Sequence, residues 1–175
     1  MKKNKKIILA GLLLSLYIVL SRFISLKTQI VVISFSFIPI IISAILLGPK
    51  YTLFIAAFGD FLGATLFPFG AYFVGFTILE GITGLIYGLF MYNKDLCFYE
   101  KKQFLIRIIL SSIINLIIIG IFITGLMIST LYGQAYLLII TSRAITKIIM
   151  LFIQVILMYL LNPKIINYTK KYLID

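Results

Sequence analysis

Residues 51–92 form a stretch of forty-two residues with only two charged side chains, Asp60 and Glu80, both acidic. A bilayer core about 30 Å thick takes roughly 20 apolar residues per helix, so this stretch is long enough to cross a membrane twice. Pro68 and Gly70 interrupt it near its middle, in the sequence LFPFGAYF, where a turn between two helices belongs. An acid inside hydrocarbon costs at least about 2.5 kcal/mol and faces other helices or a site. One segment therefore constrains the fold class and marks where function is to be sought.

The rest of the chain agrees. It is 62% hydrophobic and 12% charged, with a mean hydropathy of +1.17. A soluble domain is near half apolar and about a quarter charged. The expected class is all-α, an integral membrane bundle. The start, MKKNKK followed by IILAGLLLSLYIVL, has the basic and apolar regions of a signal peptide. No A-x-A-like cleavage site follows and further spans do, so it reads as a retained first helix. The net charge of +11 lies in short clusters between apolar blocks, which points to membrane topology and not to nucleic acid. Cys97 is the one cysteine and histidine is absent. That excludes an internal disulfide, a Cys/His zinc site and a histidine general base. No G-x-x-x-x-G-K-S/T motif is present, so no ATP site is expected in this chain, nor any other cofactor.

Six spans are expected, over residues 7–23, 35–47, 51–66, 71–92, 106–128 and 137–161, in one domain covering residues 1–175. Gly48-Pro49 should end the second sharply, because proline disfavours a helical residue before it. The β-branched segment 25–36 reads as a loop folded back over the bundle, where its backbone is buried in protein or near water. With the N-terminus inside, twelve cations fall on the inner side: Lys2, Lys3, Lys5, Lys6, Lys50, Lys94, Lys101, Lys102, Arg107, Lys164, Lys170 and Lys171. Four fall outside: Arg22, Lys27, Arg143 and Lys147. The bias places both termini in the cytoplasm.

The four outer cations are the informative ones. Arg143 and Lys147 are four apart and share a helix face, with Lys147 about a turn deeper. Converged with Arg22, they would make a positive pocket open to the outside, and a planar arginine fork suits a carboxylate or phosphate. The plainer reading has Arg22 and Arg143 snorkel to headgroups; Lys147 is too deep for that and calls for an internal partner. Asp60 and Glu80, each nine residues into its span, sit near mid-membrane. They could bind a cation, relay protons or stay protonated. Pairing with Lys147 is favoured, because a buried charge without a partner is rarely tolerated. Phe23, Phe67, Phe69, Tyr72, Phe73, Tyr132 and Tyr136 gather at the outer ends. They form an interfacial belt or stack on a flat heteroaromatic ligand. Gly59 and Gly63, and the row Gly81, Gly84 and Gly88, allow close helix approach. Gly11 and Ser15 on the first helix pack inside the bundle or dock another protein.

An ordered set of segments carries a resemblance: LSRF closing the first helix, FIPIIISAILLGP, GDFLGATLFPFGAYFVGFT, GLIYGLF, then LYGQAYL and Arg143. Together they resemble the folate family of substrate-binding S components of energy-coupling factor (ECF) transporters, over nearly the whole chain. The resemblance implies a multi-pass subunit in a prokaryotic plasma membrane that binds a folate-like vitamin from outside and has no enzymatic activity of its own. It implies partners: a transmembrane scaffold subunit and two cytoplasmic ATPase subunits. The family's small-x-x-x-small docking face matches Gly11 and Ser15, and its two arginines match Arg22 and Arg143. On this reading Phe23, Phe73, Tyr132 or Tyr136 stack on the pteridine, and Arg22, Arg143 or Lys147 pair with the glutamate carboxylates. The chain departs from the family at residues 124–127, where Thr-Gly-Leu-Met replaces an Asn-Thr and Trp pattern, and at Ser142, which replaces a proline. Two alternatives follow: the same fold with another vitamin or a queuosine-type precursor, or a different class, such as a membrane enzyme using Asp60 and Glu80 or a stand-alone carrier.

Overall fold

The computed structural model describes residues 3–27, 32–68, 72–92, 101–133 and 135–172. Six helices form the bundle: α1 (Lys3–Arg22), α2 (Phe37–Leu46), α3 (Pro49–Leu66), α4 (Val74–Met91), α5 (Lys101–Tyr132) and α6 (Tyr136–Tyr172). By length and composition alone, α1, α4, α5 and α6 through Asn162 are apolar enough to cross a membrane. Several helices run past the expected spans, α1 starting at Lys3 and α5 at Lys101. Hydropathy marks the limits of hydrocarbon, whereas helical hydrogen bonding continues through the lysine-rich ends. Phe69 and Gly70 of the expected turn lie outside the described residues, as do Lys2, Lys94 and Cys97.

The described residues between 25 and 36 depart from the expected loop. Ser25–Lys27 (β1) and Val32–Ser34 (β2) pair antiparallel, Ser25 opposite Ser34. The hydroxyl of Ser34 donates to the Leu20 carbonyl at 3.0 Å and that of Ser25 to the Ser21 carbonyl at 2.7 Å, tying both strands to the end of α1. Backbone groups against an apolar bundle need partners, and β-branched residues obtain them by pairing.

At about 1.5 Å per residue, α2 is only about 15 Å long. It lies at the centre, with Ile41, Ala44 and Ile45 fully buried. Around it pack Leu13 and Tyr17 of α1, Ile55 and Ala56 of α3, Met91 of α4, Phe104 and Ile108 of α5, and Met158 of α6. The corner after α2 is built as its sequence demands. Gly48 adopts φ +87°, a conformation open to glycine, and Pro49 begins α3, where a missing N–H costs nothing. The Thr52 hydroxyl donates to the Gly48 carbonyl at 2.9 Å and accepts from the Ser43 hydroxyl at 3.1 Å, closing the corner.

α3 and α4 cross closely. A Cβ added at Gly84 would lie 2.6 Å from the Thr52 carbonyl oxygen and 2.9 Å from the Ala56 Cβ. A backbone carbonyl cannot rotate away. Glycine to alanine inside a helix gains up to about 1 kcal/mol, whereas overpacking costs about 1–3 kcal/mol. Gly84→Ala should therefore be a net loss of about 1 kcal/mol, read as a lower unfolding midpoint in detergent. Gly11→Ala, where nothing lies within 4 Å of the new methyl, should lose nothing.

Candidate binding site

All six helices surround one cavity of about 640 Å³, within the roughly 300–1,000 Å³ typical of small-molecule sites. Its upper wall is built from the end of α1 (Ser21 and Arg22), from Asp60 and Ala64 of α3, from Tyr72 and Phe73 before α4, and from Tyr132 closing α5. Deeper, it is lined by Tyr17, Glu80, Asn115, Arg143 and Lys147, and it ends on Tyr87, Ser112 and Gln154.

Arg22 reaches across α3. Its Nη2 donates to the Asp60 carboxylate at 2.8 Å and to the Asp60 carbonyl at 3.1 Å. The second Asp60 oxygen accepts from the Thr77 hydroxyl at 2.8 Å, and Thr77 shares a 3.0 Å hydrogen bond with the Tyr72 hydroxyl. One chain of bonds thus joins α1, α3, α4 and the segment leading into α4. The G-x-x-x-G of α3 serves this arrangement in an unexpected way. A methyl at Gly63 would collide with Arg22 Nε, and one at Gly59 with the Tyr17 ring. The two glycines seat side chains of α1, whereas backbone contact was expected.

This corrects the expected pairing. Asp60 is held by Arg22 and not by Lys147. Among the described residues Lys147 makes no salt bridge; its stem packs beside Gly120, with Cδ and Cε 3.7 Å from the position of a Cβ there. Glu80 also makes no salt bridge among the described residues: the Tyr17 hydroxyl donates to its Oε2 at 3.5 Å, the outer limit of a hydrogen bond. Arg143 is buried and its Nε donates to the Gly120 carbonyl at 2.9 Å. Gly120 belongs to a π-helical stretch, Asn115–Ile123, inside α5. Such wide turns recur at functional sites, and this one presents a backbone acceptor to Arg143.

The structure brings Arg22, Phe73, Tyr132, Arg143 and Lys147 to the cavity. Phe23 is 63% exposed and packs edge-on against Phe67, with centroids 4.9 Å apart. Tyr136 lies beside Gly125. Neither lines the cavity. One residue past Arg22, the side chain of Phe23 points elsewhere around the chain axis. Gly11 and Ser15 sit on an exposed face of α1, where Ser15 Oγ donates to the Gly11 carbonyl at 3.0 Å. The polar floor went unread in the sequence. There Gln154 Nε2 donates to the Tyr87 and Ser112 hydroxyls, each at 2.8 Å, and Asn115 Nδ2 donates to the Ser111 carbonyl at 3.1 Å. Amides within apolar spans were the available signal, since such groups face the bundle interior.

Three comparisons bear on this geometry. A profile of the family described as ECF-type riboflavin transporter, S component, matches residues 1–169. A protein of Clostridium novyi named folate transporter FolT is 33% identical over 159 residues, 91% of this chain and 88% of its own. A protein of the same name from Leuconostoc mesenteroides is 33% identical over 174 residues, 96% of this chain and 90% of its own. A crystal structure described as FolT bound with folic acid superimposes with a TM-score of 0.81, at 34% identity, covering 93% of this chain and 97% of the other.

Proposed function

The chain belongs to the S-component family of ECF-type transporters, and from that premise we propose that it is the cargo-binding membrane subunit of an importer for folates. The observation that carries the cargo is the cavity itself. It combines aromatic walls at Phe73 and Tyr132 with a cation, Lys147, that makes no salt bridge with a described residue, and the chain is similar throughout to a protein solved with folic acid. Riboflavin and queuosine-type precursors carry flat rings but no carboxylate, and would leave Lys147 unpaired. With the N-terminus inside, the end of the cavity built from Arg22, Phe73 and Tyr132 faces outward, so cargo enters from outside.

The remaining parts of the reading concern partners. The Gly11 and Ser15 face of α1, which no described residue covers, is the surface for a transmembrane scaffold subunit. Two cytoplasmic ATPase subunits supply the hydrolysis for which this chain has no motif, and the chain itself catalyses no reaction and needs no cofactor. The membrane-enzyme alternative has lost its pair of acids, since Asp60 is committed to Arg22 and Thr77.

Titration calorimetry of the purified, detergent-solubilised protein tests the cargo. Folic acid is expected to bind one to one and far more tightly than riboflavin. Tighter binding of riboflavin or of a queuosine-type precursor would overturn the folate reading.

A further inference from the structure

The cavity holds two acids and three cations in unequal states. Asp60 has both carboxylate oxygens engaged, by Arg22 and by Thr77. Glu80 has one long bond from Tyr17 on Oε2, and no described residue donates to its Oε1. Yet Glu80 lines the cavity at its middle depth, on a helix whose next inward-facing residue, Thr83, lines it too. An acid in a membrane bundle that lacks both a salt bridge and a full set of donors is costly, and such a group ordinarily marks a site. The donors it lacks can come from whatever fills the cavity.

The geometry points to Glu80 as the specificity residue for the ring end of the cargo, accepting hydrogen bonds from a heterocycle edge that carries two adjacent N–H donors. This rests on the folate reading and deepens it. The 2-amino-4-oxopteridine edge of folic acid offers a ring N–H beside an exocyclic amino group, spaced as the two donors of a guanidinium fork are. That edge meets the two oxygens of one carboxylate in the bidentate manner that makes such contacts strong and directional. The Tyr17 hydroxyl, 3.5 Å from Oε2, lies on the side of the carboxylate away from Oε1 and leaves Oε1 open to the ligand. Asp60 cannot take this role without giving up Arg22.

The test pairs a protein change with a ligand change. Calorimetry is run on the full-length protein and on Glu80→Gln, each with folic acid and with its 2-deamino analogue. Wild type should prefer folic acid by about ten- to a hundredfold, the range for hydrogen bonds to a charged group. Glu80→Gln should weaken both ligands, folic acid the more because it loses two charge-assisted hydrogen bonds where the analogue loses one, and so should shrink that preference to a few-fold. Equal weakening of both ligands, or an unchanged preference, would overturn the role of Glu80. If wild type binds neither ligand, the folate reading itself falls and this inference with it. Should Glu80→Gln fail to fold, Glu80→Asp keeps the charge and withdraws the carboxylate by one methylene. The same selective loss is expected of it, and retention of the full preference would likewise overturn the proposal.

Discussion

Arg22→Ala is expected to destabilise the protein by about 1–3 kcal/mol, the loss that follows when one member of a partly buried, hydrogen-bonded ion pair is removed and the other is stranded. The stranded group is Asp60, whose side chain is 16% exposed and whose remaining described partner would be Thr77. The measurement is the unfolding free energy in detergent of Arg22→Ala, Asp60→Asn and the double variant. The double variant should recover most of the Arg22→Ala loss, because removing both charges removes the stranded one. Simple addition of the two single losses would show that the 2.8 Å pair contributes nothing. The result also bears on ligand work. Arg22→Ala on its own cannot serve as a clean probe of carboxylate binding, since its effect on the bundle precedes any effect on cargo.

Lys147→Met isolates the cargo contact instead. Methionine preserves most of the stem that packs beside Gly120, so the π-helical stretch keeps its neighbour. Because Lys147 makes no salt bridge with a described residue, stability should hold or rise slightly. Affinity for folic acid should fall by about 2–5 kcal/mol, roughly one and a half to three and a half decades, as expected when a desolvated charge pair loses one partner. Calorimetry with folic acid reads the loss, and an affinity within about threefold of wild type would remove Lys147 from the site, since tenfold already corresponds to 1.4 kcal/mol.

The two predictions differ in kind, and the roles are the reverse of those expected, where Lys147 and not Arg22 was to pair with a buried acid. Arg22 and Lys147 each stand at the outer side of an apolar span, and each was expected to grip the ligand. What separates them is the state of their neighbours. Gly63 leaves room on α3 for the Arg22 guanidinium to cross and reach Asp60. Lys147 packs its stem beside Gly120, and no described carboxylate comes within salt-bridge distance of its ammonium.

Much of the architecture was legible because its signals are local. Apolar runs located the helices, Gly48-Pro49 located the corner that caps α2, and the rarity of charge in residues 51–92 singled out Asp60 and Glu80. The π-helical stretch Asn115–Ile123 and the β-hairpin left weaker traces, since both arise where backbone groups seek partners supplied by distant segments. The cavity floor of Tyr87, Ser112 and Gln154 is a meeting of three helices with no shared spacing in sequence.

The chain alone determined that it is a helical membrane protein with its rare acids inside and a set of cations near one face, because hydropathy and helical period are properties of short segments. Only the folded bundle decided which acid neutralises which cation. That choice depends on how far each helix is rotated and how closely it crosses its neighbour. Here it bound Asp60 to Arg22 and left Glu80 and Lys147 facing the same empty space.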